Sequence, residues 1–143
     1  MKRGKKINFS LAAKAFIVDN KNRLLVVKRR PNDVQKPGIW EIPGGRLNPG
    51  EDPHEGVQRE TKEETNLEIE VIKPLTVRHF TRKDKQIITM IVFLCKPVGG
   101  KVKLSEEHTD FAGLNLNSEE ELSKYFDDSF FMEEVAAFKS LKI

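Results

Sequence analysis

Residues 37–67 read PGIWEIPGGRLNPGEDPHEGVQRETKEETNL. The second half of this stretch is punctuated as a helix. Asp52 is a good N-cap, and Pro53 suits the first helical position, where its missing N–H costs nothing. Glu55, three residues after the cap, completes a capping-box-like pattern. The helix is expected to run to about Thr65. Asn66 then falls where a left-handed residue usually ends a helix, a conformation Asn tolerates.

The carboxylates on this helix decide what it is for. Glu60, Glu63 and Glu64 stand at i, i+3 and i+4, within a sector of about 100°. Three negative charges there repel one another and disfavour the helix. A divalent cation would neutralise them, and hard oxygen donors without Cys or His suit Mg²⁺ or Mn²⁺ better than Zn²⁺. The alternative is a solvated acidic face balanced by Arg59 and Lys62. Arg59 precedes Glu63 by four positions and can hold its carboxylate. Gly56 projects near the direction of Glu60 and Glu63. Its bare Cα serves either the approach of a metal or phosphate, or close packing of the helix. Upstream, Pro43-Gly44-Gly45 lets backbone come close to a ligand. Trp40, just before it, either stacks on a base or packs in the core.

Gly45, five residues, Glu51, seven residues, Arg59-Glu60, two residues, Glu63-Glu64 and then Thr65-Asn66-Leu67 resembles the Nudix box. The lead-in Trp40-Glu41-Ile42-Pro43-Gly44-Gly45 strengthens the resemblance. Thr61 stands where an aliphatic residue is usual and Asn66 where Gly is usual; neither touches a carboxylate. The resemblance implies an α/β fold, the Nudix-type α/β/α sandwich with a mixed sheet. It implies Mg²⁺-dependent hydrolysis of a diphosphate linkage in a nucleoside triphosphate or another nucleoside diphosphate derivative, by attack of water on phosphorus. The implied metal ligands are Glu60, Glu64, Glu63 and the Gly44 carbonyl, with Arg59 holding Glu63 and Glu51 supporting the loop. The general base is a box glutamate such as Glu60 or Glu63, or a glutamate of a later loop. Here the acidic loop is Ser105–Asp110, and Glu107 is its candidate. Arg29, Arg30 and Arg46 are candidate phosphate contacts, and Trp40 a candidate base contact. Arg78 and His79 lie near a strand end and are candidate pocket residues. His54, in the first turn, is expected to face solvent.

Outward from this centre, residues 9–18 and 23–28 read as strands, and Asp19–Asn22 as the turn of a hairpin between them. Residues 39–42 form a short extended piece stopped by Pro43-Gly44-Gly45. Extended structure is expected over 67–77, 86–95 and 111–116, with turns at 82–85 and 99–100. Ser118 caps a short helix over 119–125. A last helix over about 129–141 places Phe131, Val135, Phe138 and Leu141 on one face.

The chain has 143 residues, 38% hydrophobic and 33% charged. That fits a single domain over residues 7–143 behind a basic tail, residues 1–6, and excludes a disordered or collagen-like chain. Apolar runs are strand-length, too short for a membrane span. Four of the 25 basic residues lie in Met1–Lys6, which holds no acid; they exceed the net charge of +3. The basic excess is therefore a tail and not a face, and nucleic acid is not an expected partner. Lys14 interrupts the apolar stretch that a secretory leader would need. Cys95 stands alone, which fits a reducing cytoplasm, and it ends an apolar run as a small core residue. A small nucleotide is the expected partner, and a homodimer is compatible with the sequence. Two other classes compete: a non-hydrolytic nucleotide sensor, and an RNA-end processing factor using the tail as an arm. The full set of Arg59, Glu60, Glu63 and Glu64 argues against the sensor.

Overall fold

The computed structural model describes residues 8–126 and 130–141. Its strands are β1 Phe9–Ile17, β2 Arg23–Arg29, β3 Trp40–Glu41, β4 Gly44–Arg46, β5 Glu68–Thr81, β6 Ile87–Gly99 and β7 His108–Asn115. Its helices are α1 Pro53–Thr65, α2 Glu119–Tyr125 and α3 Met132–Lys139. A four-stranded sheet runs β4-β1-β6-β5, and a three-stranded sheet runs β3-β2-β7. The first is mixed: β1 is parallel to β6 and antiparallel to β4, while β5 and β6 are antiparallel.

The expected β1–β2 hairpin does not form. The two strands belong to different sheets, and just beyond β1 a single bridge, Val18 to Leu24, joins the chain to β2. The reason lies in what β1 must bury. Ala12 and Phe16 face one apolar cluster, and Ala13, Ala15 and Ile17 face the other. A strand apolar on both faces needs a layer packed over each, and the mixed sheet lying between helices supplies both. Val57 of α1 packs into the second cluster, and Leu122, Phe126 and Val135, from α2, its C-terminal end and α3, into the first. Helices therefore cover both faces of the mixed sheet, as the α/β/α reading requires.

The helix caps follow their local chemistry. Asp52 accepts a hydrogen bond from the His54 N–H at 2.8 Å, so its partner lies two residues on. Asn66 adopts φ 67° and donates its N–H to the Lys62 carbonyl. Ser118 caps α2 by accepting from Glu121 N–H at 3.1 Å. Phe131, Val135, Phe138 and Leu141 all join the first cluster. The expected start of α3, Ser129, lies outside the described residues, as does the basic tail. Gly44–Arg46, read from sequence as a loop, is an edge strand paired with Ala12–Lys14. Strand β7 begins earlier than expected, at His108, and β6 runs on to Gly99. Cys95 is fully buried, and burial pushes its thiol up to about 12. Among the described residues no helix is long and apolar enough to cross a membrane.

Candidate active site

Ala12 and Lys14 of β1 share a side with Ile88 and Met90 of β6, and together they floor a cleft of about 300 Å³. These positions lie on the face that α3 covers. The edge strand β4 separates them from α1; its bare Gly45 makes room for an α1 carboxylate, and its bare Gly44 lets it lie close against β1. A Cβ on Gly45 would stand 2.9 Å from Glu60 Oε2. A Cβ on Gly44 would stand 2.2 Å from the Ala13 carbonyl oxygen, and its φ is 131°. Glu64 passes the same edge and accepts the Gly44 N–H at 3.2 Å. Two carboxylates of one helix thus enter the cleft past a strand too thin to block them.

Glu64 is 4% exposed. Burial pushes its carboxyl well above the ordinary carboxylate range; Lys14 opposes that, while Glu41 and Glu60 add to it. Like charges gathered in a buried place could be relieved by a bound cation. Among the described residues no three acidic, imidazole or thiol groups close into a cage. The Glu60 and Glu64 carboxylates offer an open set of oxygen donors beside the Gly44 backbone. That suits Mg²⁺, which keeps waters and takes substrate phosphates as its remaining ligands.

Arg29, Arg46 and Glu107 also line the cleft. Arg29 donates to Glu41 at 2.8 Å and to Asp33 at 2.9 Å. Arg46 donates to Gln86. Glu63 stands elsewhere. Its side chain is 58% exposed and its carboxylate pairs with Arg59 at 3.1 Å. Arg59 also grips Glu51 at 2.7 and 2.9 Å, and its Nη1 lies 3.2 Å from Glu60. Arg59 and the Asn48 N–H hold the Glu51 carboxyl down to about 2. This triad ties the β4–α1 loop to the helix and so aims Glu60. Trp40 packs edge-on against Tyr125, with centroids 4.9 Å apart, in a neighbouring groove.

Other expected contacts fall away from the cleft. Arg78 is committed to the buried Glu134 through two bonds of 2.8 Å. His79 is exposed and pairs with Thr89 at 2.9 Å. Arg30 meets Glu107 only through the backbone, donating its N–H to the Glu107 carbonyl at 3.0 Å. His54 is largely exposed, as expected. Thr61 is fully buried with Oγ1 unpartnered among the described residues, the cost of a hydroxyl in an apolar slot.

Gly56 resolves towards packing. A Cβ there would meet Leu47 Cδ2 at 2.3 Å and Glu51 Oε1 at 3.1 Å, so the loop fills the space a metal would need. Gly56→Ala is expected to cost about 1–3 kcal/mol, as overpacking does. Adding Leu47→Ala should recover most of it, since the clashing atom is the tip of that side chain. Urea unfolding of the two single variants and the double variant measures the coupling.

Sequence reading missed the centre of the cleft. Glu41 is 3% exposed and accepts from Lys14 at 3.1 Å and Arg29 at 2.8 Å, with His108 Nε2 at 2.9 Å. Lys14 also donates to the Ile42 carbonyl at 3.1 Å. The available signal was Lys14 itself. It shares a strand face with Ala12 and Phe16, and a lysine on a core-facing position requires a buried partner.

The fold and this cleft define a mixed α/β sandwich with glycine-gated carboxylates and facing cations. The NUDIX domain family model matches residues 8–137, and the chain belongs to that family. It is 38% identical over 100 residues to a MutT-like protein of Streptomyces ambofaciens, covering 70% of this chain and 60% of that protein. It is 32% identical over 103 residues to an ADP-ribose pyrophosphatase of Methanocaldococcus jannaschii, covering 71% and 60%. The match thus spans about 60% of the length of each of these curated relatives. Among solved structures, the MutT protein from Methanosarcina mazei Go1 superposes with a TM-score of 0.78 at 29% identity, covering 96% of this chain and all of that one.

Proposed function

We propose that this protein is a Mg²⁺-dependent pyrophosphohydrolase. It cleaves a diphosphate linkage in a nucleoside triphosphate or another nucleoside diphosphate derivative, by attack of water on phosphorus. One observation carries the reading: Glu60 and Glu64 enter, past Gly44 and Gly45, the same cleft that holds Arg29, Arg46 and Glu107. Acidic and basic groups then face a single space, as a metal-bound diphosphate requires. The relatives' names, one an ADP-ribose pyrophosphatase, point to the same chemistry.

Glu60, Glu64 and the Gly44 carbonyl hold the cation, with Mn²⁺ as a substitute. When bound, it supplies neutralisation of phosphate oxygens and acidification of a water. Arg29 and Arg46 orient the phosphates. Arg29 is the more rigid, because Glu41 and Asp33 fix its guanidinium. Glu107 takes the proton of the attacking water. Arg59 and Glu63 are positioning residues that keep Glu60 aimed, and Trp40 shapes the groove beside the cleft. The protein acts in the cytoplasm on small nucleotides, and its assembly as a homodimer is compatible with this role.

The test is incubation with Mg²⁺ and a panel of nucleoside triphosphates, nucleotide sugars, ADP-ribose and dinucleoside polyphosphates, with products resolved by phosphorus NMR. Turnover is expected for at least one class. Binding without turnover, with Mn²⁺ also tried, turns the reading to a nucleotide sensor. Glu107→Gln is expected to lower kcat by about 10²–10⁴, the usual worth of a general base, with KM little changed. A loss below tenfold moves the base elsewhere.

A further inference from the structure

Lys36 has no part in the mechanism above. It lies in the loop joining β2 to β3, and that loop is pinned. Asp33 Oδ2 accepts the Gln35 N–H at 3.0 Å and the Lys36 N–H at 2.8 Å, while Oδ1 accepts from Arg29 at 2.9 Å. The side chain this turn projects lines the cleft. Its ammonium stands 5.1 Å from the centre of the Phe130 ring.

Most cations of the cleft are already matched. Lys14 pairs with Glu41, Arg29 with Glu41 and Asp33, and Arg82 with Asp84. Among the described residues Lys36 and Arg46 have no carboxylate partner. Burial pushes the Lys36 ammonium down, Lys14, Arg29 and Arg82 push the same way, and Glu41 opposes them. A half-buried ammonium among like charges, close to a ring, is best relieved by an anion.

Its position says which anion. Glu60 and Glu64 come over the β4 edge from α1. Lys36 stands with Phe130 and Phe131, which lead into α3 on the other side of the sheet, and with Phe80 and Arg82 at the end of β5. A ligand gripped at the carboxylate rim reaches Lys36 only through further atoms.

We propose that Lys36 is a specificity residue for polyphosphate. Its ammonium leaves the Phe130 ring and binds the phosphate farthest from Glu60 and Glu64. The cleft then favours a triphosphate chain over a diphosphate closed by an uncharged sugar. This rests on the hydrolase reading for the placement of the reacting diphosphate.

The experiment is calorimetric titration of the protein, in Mg²⁺, with inorganic tripolyphosphate and with pyrophosphate. Lys36→Met keeps the apolar stem on Phe130 while removing the charge, and Lys36→Arg keeps the charge. Lys36→Gln serves if the Met variant fails to fold, as judged by its melting curve. Wild type should bind tripolyphosphate more tightly than pyrophosphate. Lys36→Met should lose about tenfold or more for tripolyphosphate, the worth of a charged hydrogen bond, and little for pyrophosphate. Lys36→Arg should restore it. In turnover, Lys36→Met should raise KM for nucleoside triphosphates and leave KM for ADP-ribose unchanged. An equal loss for both inorganic probes, no loss, or a loss that follows the nucleobase and not the phosphate count overturns the inference. Unaltered triphosphate turnover in Lys36→Met sinks this inference and spares the hydrolase reading. Tripolyphosphate binding through Lys36 without nucleotide turnover does the reverse.

Discussion

Glu64→Gln is expected to lower kcat by about 10³-fold while the protein stays folded. The magnitude follows from the several kcal/mol that a bound cation contributes to a phosphoryl transition state. Glutamine keeps the volume of Glu64 and still accepts the Gly44 N–H. What it lacks is the charge. Without a cation that charge is unwelcome in the fold, because Glu64 is buried beside Glu60 and Glu41. The variant should therefore melt no lower than wild type in the presence of a chelator. Addition of Mg²⁺ separates the two proteins: a cation that binds only the folded chain raises the wild-type melting temperature by mass action and leaves the variant's unchanged. Scanning calorimetry with and without Mg²⁺, beside steady-state kinetics, makes the measurement. A variant with activity within tenfold of wild type removes Glu64 from the metal site.

Glu41→Gln is expected to cost about 3–5 kcal/mol, the usual penalty for breaking a buried charge cluster from one side. That is a large share of the roughly 5–15 kcal/mol that holds a domain together. The loss follows from what remains: Lys14, Arg29 and His108 all lean on this carboxylate, and among the described residues only Arg29 has a second ion-pair partner, Asp33. The pH dependence has a definite sign. Burial raises the Glu41 carboxyl, but Lys14, His108 and Arg29 outweigh it and hold the group far below its ordinary 4.5. As pH falls, the unfolded chain takes up this proton first. The contribution is therefore complete above about pH 4.5 and drains away below it. Urea unfolding from pH 7 to pH 3 should show a steep acid limb in wild type and a shallower one in Glu41→Gln. Parallel limbs would mean that the cluster does not stabilise the fold through its charge.

What was legible in the sequence was local. Asp52, Pro53 and Asn66 marked both ends of α1 because capping depends on residues a few positions away. Glu60 and Glu64 were legible because a helix fixes their spacing. The cleft's other half was not. Lys14 and Glu41 are 27 positions apart and meet only because β1 and the β3–β4 segment come together. The hairpin expectation failed for the same reason. A turn at Asp19–Asn22 is local chemistry, but which strand pairs with β1 is settled by burial on both of its faces. Glu63 shows the limit of spacing even within a helix: it shares the acidic sector, yet of the three only Glu60 and Glu64 line the cleft, while Glu63 lies exposed beside Arg59.

The parallel pairing of β1 with β6 also bears on how the chain comes to be folded. Phe9 is matched with Ile87, and Ile17 with Cys95. At a synthesis rate of about 5–20 residues per second, the first strand leaves the ribosome several seconds before its neighbour exists. Until then it is an apolar segment whose β6-facing hydrogen-bonding edge is open. Topologies dominated by such distant pairings fold slowly, because loop closure comes before any reward. Strand β1 is thus made well before the neighbour that secures it, and in that interval it is exposed to chaperones and to aggregation.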